Sequence, residues 1–150
     1  MKYRNSKMCI FMLVCFTQIT CGGHRAMTRI NSSEAPEAIG PYSHAVKTGN
    51  LIFCSGQLGL LSTGELSGND IESQTRQSIL NTQHILNSAG SDLSKITKVT
   101  IFLTDMKDYA KVNSIYAEYF DSTKPARSTV QVAKLPKNGL IEIECTAIVR

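Results

Sequence analysis

No stretch of this 150-residue chain reaches the ~18 apolar residues that a membrane-spanning helix requires, so the body is expected to be soluble with no membrane partner. Four prolines, ten glycines and 19% charged residues exclude collagen-like and disordered compositions. No internal repeat, low-complexity tract or linker follows Met27. The 42% of hydrophobic residues can fill one compact core but hardly two. Cysteine is sparse in the body: Cys9, Cys15 and Cys21 fall in the first 26 residues, leaving only Cys54 and Cys145 beyond them. Those two lie in strand-like runs without C-x-x-C or Cys/His spacing, and read as buried free thiols in a reducing compartment. The body also lacks charge of one sign. The formal net charge is +4, but Lys2, Arg4, Lys7 and Arg25 stand in a leader that has no acidic residue. Without those four, twelve basic residues face twelve acidic ones. A neutral domain with interspersed charges lacks the basic footprint of a nucleic-acid binder.

What is present is local order. Tyr42–Lys47 and Leu51–Ser55, separated by Gly49-Asn50, read as a β-hairpin. Leu58–Gly68 reads as loop. Asn69 stands three residues before Glu72, a capping-box spacing that opens a helix. Ile71, Thr75, Ile79, Thr82, Leu86 and Ala89 form its apolar stripe, and Gly90 stops it. Val99, Ile101 and Leu103 alternate as in a strand. Asp108 is placed to cap a second helix packed through Val112, Ile115, Tyr116 and Tyr119, with Pro125 ending the connection after it. Arg127–Ala133 and Leu140–Val149 read as two further strands. The order β-β-α-β-α-β-β predicts an α+β fold, one sheet with two helices on one face. The other face would then lie bare and apolar, for which association of identical subunits is the natural remedy.

Alternation places Arg127, Thr129 and Gln131 on one strand face and Ser128, Val130 and Val132 on the other. In the last strand Ile141, Ile143, Cys145, Ala147 and Val149 form an apolar face, opposite Glu142, Glu144 and Thr146. On spacing alone, a solvated edge is the simpler account of the two carboxylates and of Arg127. Nothing suggests Ser-His-Asp chemistry, a G-x-G-x-x-G turn or a phosphate loop. His24, His44 and His84 are not spaced as metal ligands, and His84 reads as a surface residue of the first helix.

Several stretches carry a resemblance, in order, from about Ser33 to Arg150. They are Ala-Pro-Glu-Ala-Ile-Gly-Pro-Tyr-Ser-His-Ala (35–45), Ser-Gly-Gln (55–57), Thr-Asp-Met-Lys-Asp-Tyr-Ala-Lys-Val-Asn (104–113), Pro-Ala-Arg-Ser-Thr-Val-Gln-Val (125–132), Leu-Pro-Lys-Asn (135–138) and Ile-Glu-Ile-Glu (141–144). In these the chain resembles the reactive intermediate deaminase (RidA/YjgF) family. The resemblance implies a chorismate-mutase-like fold with a single mixed sheet, and a homotrimer with clefts between subunits. It implies hydrolysis, without cofactor or metal, of reactive 2-enamino and 2-imino acids such as 2-aminoacrylate to 2-keto acids and ammonia. Arg127 matches the family's carboxylate-gripping arginine, and Glu142 the acidic residue that activates water. Tyr42, Ser55, Gly56, Asn113 and Thr129 match positions beside the substrate. Many members carry cysteine where this chain has Thr129, which argues against an obligatory thiol nucleophile there. Two other functions stay open: a translation-inhibiting endoribonuclease, which the neutral body disfavours, and a non-catalytic ligand-binding or chaperone-like trimer, which Arg127 disfavours.

Residues 1–26 have the layout of a secretory signal peptide, with a basic start, an apolar run over Met8–Phe16 and a Gly-Gly pair. Export, or lipid anchoring at Cys21, is one reading. The other, favoured because the recognisable domain begins almost directly after Met27, is a misassigned start and a cytoplasmic protein of residues 27–150.

Overall fold

A computed structural model describes residues 26–150; the readings made of the leader and of Cys9, Cys15 and Cys21 lie outside the described residues. Eight main elements follow in the order β1 (Met27–Ile30), β2 (Ala45–Thr48), β3 (Leu51–Leu58), α1 (Ile71–Ser88), β4 (Ile96–Leu103), α2 (Tyr109–Phe120), β5 (Ala126–Gln131) and β6 (Ile141–Ile148). The strands form one sheet in the order β1-β2-β3-β6-β4-β5. Every pairing is antiparallel except β4 with β5. That parallel pair needs a crossover, which α2 supplies. The sheet is therefore mixed and carries two helices, as the α+β reading expected.

The helix stripe packs as its spacing predicted. Ile71, Thr75, Ile79, Thr82, Leu86 and Ala89 are all buried, against Ile52, Val99, Ile101, Leu103 and the apolar face of β6. Gly90 takes φ +80°, so that its N–H reaches Asn87 O at 3.1 Å and the Ser91 N–H reaches Leu86 O at 2.9 Å, a Schellman ending. Polar residues on α1 tie down the connections at its N-terminal end. Asn81 donates to Leu58 O and Leu60 O, and Gln74 donates to Gly68 O while accepting from Leu140 N–H. Both are buried, so the segment after β3 and the start of β6 are held by bonds shielded from water.

Several expectations need correction. The cap of α1 is Asp70, not Asn69, and its carboxylate accepts the Ser73 N–H at 2.7 Å. Asp108 precedes α2 but makes no side-chain cap bond; Asp105 instead caps a short 3-10 turn over Met106–Asp108 that leads into the helix. The packing face of α2 uses Phe120, while Tyr119 is exposed. β2 begins only at Ala45, which leaves Tyr42 in the connection from β1. β1 itself was not foreseen. β5 begins one residue before Arg127 and ends two residues short of Ala133, while β6 is one residue shorter at each end than the patterning suggested.

Cys54 and Cys145 face each other directly across β3 and β6, buried and unbridged. On the far side of the sheet Leu51, Phe53, Val130 and Ile148 are exposed among polar side chains such as Lys98, Ser128 and Glu144, and none of the described helices covers that face.

Candidate functional site

Arg127 stands on edge strand β5, opposite buried Val99 of β4. Its side chain therefore lies on the helix-covered face. There α2 meets it: Nη2 donates to Asn113 Oδ1 at 2.6 Å and to Tyr109 Oη at 3.3 Å. The guanidinium carbon sits 4.6 Å from the centre of the Tyr116 ring and 5.9 Å from that of Tyr109. Stacking on aromatic faces suits a planar, weakly hydrated guanidinium. Tyr116 is buried, which pushes its phenol up to about 12. The ion pairs among the described residues do not include Arg127. Its remaining N–H groups open on a cleft of about 460 Å³ that Asn113, Phe120 and Lys124 also line. Thr129 is half-buried two residues along the same strand face.

Glu142 lies on the other side of the sheet. It alternates with buried Ile141 and Ile143 and is paired in register with Leu58 and Phe102. Burial, and secondarily the charge of Glu144, hold its carboxyl above the usual glutamate range. Its carboxylate rests over Gly56, where a Cβ would come within 1.8 Å of Oε1. Gly56 and Ser55 form the irregularity at which β3 gains a residue against β6. Ser55 is fixed by its N–H to His44 O at 2.9 Å and by its hydroxyl to Ser43 O at 2.8 Å. Tyr42 shares one cleft with Ser55 and a smaller cavity with Gly56.

The expected site residues thus gather into two groups. Arg127 and Asn113, with Thr129 along the strand, lie on the helix side at one edge. Tyr42, Ser55, Gly56 and Glu142 lie around the β3 irregularity, with Glu142 on the bare face. Within one chain the sheet separates Arg127 from Glu142, so the pair suggested by the sequence is not assembled by a single copy. Sequence reasoning missed Tyr109 as a support of Arg127 and read Tyr116 only as packing; their i, i+7 spacing and Asn113 between them were the available signal. His84, read as surface, is half-buried and pairs with Glu34 at 2.9 Å. Among the described residues no group of His, Cys, Asp or Glu is gathered as metal ligands would be, and no helix is long and apolar enough to cross a membrane.

These features define a single-sheet α+β domain with an arginine-floored cleft at its edge. The family model described as endoribonuclease L-PSP matches residues 32–149. Reactive Intermediate Deaminase A of Arabidopsis thaliana chloroplasts is 50% identical over 119 residues, 79% of this chain and 64% of that protein. The human 2-iminobutanoate/2-iminopropanoate deaminase is 44% identical over 120 residues, 79% of this chain and 88% of that one. The crystal structure of Escherichia coli TdcF with bound serine superposes with a TM-score of 0.77 at 40% identity, over 82% of this chain and 99% of its own. The chain belongs to the endoribonuclease L-PSP family, the group of RidA and YjgF.

Proposed function

We propose that residues 27–150 form a deaminase domain that hydrolyses 2-imino acids, and the enamines in equilibrium with them, to 2-keto acids and ammonia. The observation that carries this reading is Arg127: half-buried, braced by Asn113 and two tyrosines, and paired with no carboxylate of the described chain. A planar fork in that state is a receptor for the α-carboxylate of a small acid. The human relative is named for 2-iminobutanoate and 2-iminopropanoate, acids of this class, and the serine bound by TdcF carries the same α-carboxylate.

The chemistry needs little more than a grip, a base and a water. Arg127 fixes the carboxylate and so places C2 of the imine. From the protonated imine, Glu142 takes a proton as the water oxygen bonds to C2 and the C=N electron pair moves to nitrogen, giving a neutral carbinolamine. Returning that proton to nitrogen makes ammonia the leaving group; as the C–N bond breaks, the carbinolamine hydroxyl gives its proton back to Glu142 and the keto group forms. Tyr42, Ser55 and Gly56 wall the carbon side, and Thr129 offers a backbone N–H and a hydroxyl where a thiol is common. Holding the three participants together supplies much of the rate gain. No step calls on a metal or cofactor.

Arg127 and Glu142 act on one substrate only if two copies supply them. The bare sheet face, with Leu51, Phe53, Val130 and Ile148, is the surface on which copies would associate, and we take the assembly to be a trimer with three clefts. The neutral body works against RNA as the substrate. The test is keto-acid release from freshly generated 2-aminoacrylate by residues 27–150 and by the Arg127→Ala variant. Acceleration by the wild type alone supports the reading; acceleration by neither leaves a ligand-binding protein.

A further inference from the structure

His44 is buried to 4% exposure at the end of the connection between β1 and β2, and both its backbone and its ring are hydrogen-bonded. Asn31 Oδ1 accepts its backbone N–H at 3.1 Å, and its carbonyl accepts the Ser55 N–H at 2.9 Å. Nδ1 accepts the Ser32 N–H at 3.0 Å. An N–H pointed at Nδ1 leaves the ring proton on Nε2. No acceptor among the described residues reaches Nε2. The cavity that His44 lines holds about 30 Å³, room for one water, and its walls include Tyr42, Gly56 and Gln57. Gln57, 7% exposed, spends its amide nitrogen on two carbonyls, Ser55 O at 3.1 Å and Gly56 O at 3.0 Å. Two carbonyl acceptors fix which end of the carboxamide is nitrogen, and Oε1 is left as an acceptor.

A buried donor without a partner and the free carboxamide oxygen of Gln57 therefore line one cavity with room for a water. We propose that His44 and Gln57 bind a single internal water, as Nε2–H···O and O–H···Oε1, and that this water completes a hydrogen-bonded chain running from Ser32 through His44 and Gln57 to the Ser55–Gly56 irregularity. Since Glu142 rests on Gly56, the chain sets the height at which that carboxylate sits. His44 and Gln57 are positioning residues; the role in catalysis rests on the proposed deaminase reading, while the water site does not. A half-satisfied buried network is worse than none, and one water satisfies both ends here.

The test is a high-resolution crystal structure of the full chain, with the ring tautomer of His44 read by nitrogen-15 NMR. The expected result is a water within hydrogen-bonding distance of both Nε2 and Oε1, with the proton on Nε2. A dry cavity, or the proton on Nδ1, overturns the proposal. His44→Leu should lose the water and displace Ser55–Gly56. His44→Gln should keep both, because a carboxamide can accept from Ser32 and donate to the water. In kinetics, His44→Leu should lower kcat about tenfold with KM within about twofold, and His44→Gln should recover most of that loss. Equal activities in the two variants would refute the positioning role. Where His44→Leu does not fold, the near-isosteric Gln57→Met makes the same comparison. A wild type without deaminase activity refutes the proposed function alone, since the water, the tautomer and the displacement of Gly56 are still read directly.

Discussion

The Glu142 carboxylate occupies the volume that any side chain at Gly56 would fill, a Cβ there lying 1.8 Å from Oε1. Position 56 is consequently glycine for reasons of space, and the space belongs to the proposed base. Gly56→Ala should push Glu142 off its seat. The expected outcome is loss of at least about 100-fold in kcat with stability nearly unchanged, since the nearest atoms a Cβ would meet all belong to the flexible Glu142 side chain. Steady-state kinetics beside thermal unfolding would check it, and an active alanine variant would show that Glu142 works from another position.

Gly90 makes the opposite case. Its φ of +80° is left-handed, yet a Cβ there meets nothing within 4 Å. Gly90→Ala should therefore cost conformational strain alone, about 1–2 kcal/mol, with kcat/KM unchanged. Denaturant unfolding measures the first and the imine assay the second. A fall in activity matching that of Gly56→Ala would mean that both act through general destabilisation.

Arg127 is held through one nitrogen, Nη2, by Asn113 and Tyr109. Lysine keeps the charge but cannot offer two parallel N–H bonds to a carboxylate. Arg127→Lys is expected to lose about 100-fold or more in kcat/KM, nearly as much as Arg127→Ala. Asn113→Ala leaves the fork intact but loosens it, and should appear mainly as a KM increase of about tenfold. Equal KM values across wild type and Asn113→Ala would remove Asn113 from the binding machinery.

Burial first and Glu144 second raise the Glu142 carboxyl above its ordinary value. A base must be ionised, so kcat/KM should drop as pH falls through that raised pKa. Stability moves the other way. The folded chain holds this proton more tightly than the unfolded one, so the contribution is fully present below the ordinary glutamate pKa and is lost as pH rises through the folded value. Glu144→Gln removes the smaller of the two causes and should move the acid limb of the rate profile to lower pH without abolishing it. A limb that stays put would assign it to another group.

Much of this arrangement could be read from residue order. The stripe Ile71 to Ala89 gave α1 because a single amphipathic helix needs no distant partner, and Gly90 marked its end. The cap shifted by one residue because Asn69 and Asp70 are both good caps, and only the Ser73 contact decides between them. β1 escaped notice since four exposed or half-exposed residues, Met-Thr-Arg-Ile, carry no burial pattern. Alternation assigned a face to Arg127 and a face to Glu142, yet relating the two required the register of β5 on β4 and of β4 on β6, which is non-local. His44 and Gln57 lie in the stretches that carry the resemblance, but no role for them could be read there, as a buried orphan nitrogen exists only once the chain is packed around it.

That register leads to the sharpest test of the proposed assembly. Arg127 and Glu142 project from opposite faces of one sheet, so each working cleft would take its arginine from one copy and its glutamate from a neighbour. Arg127→Ala and Glu142→Gln should each be inactive alone. When the two variants are unfolded together and reassembled in equal amounts, a cleft works only where an intact arginine meets an intact glutamate, which random mixing provides in about one cleft in four. Recovery of about a quarter of wild-type activity is the expected outcome, measured as keto-acid release, with each variant reassembled alone as control. Should the mixture remain as inactive as its parts, the two residues do not serve one substrate from separate copies.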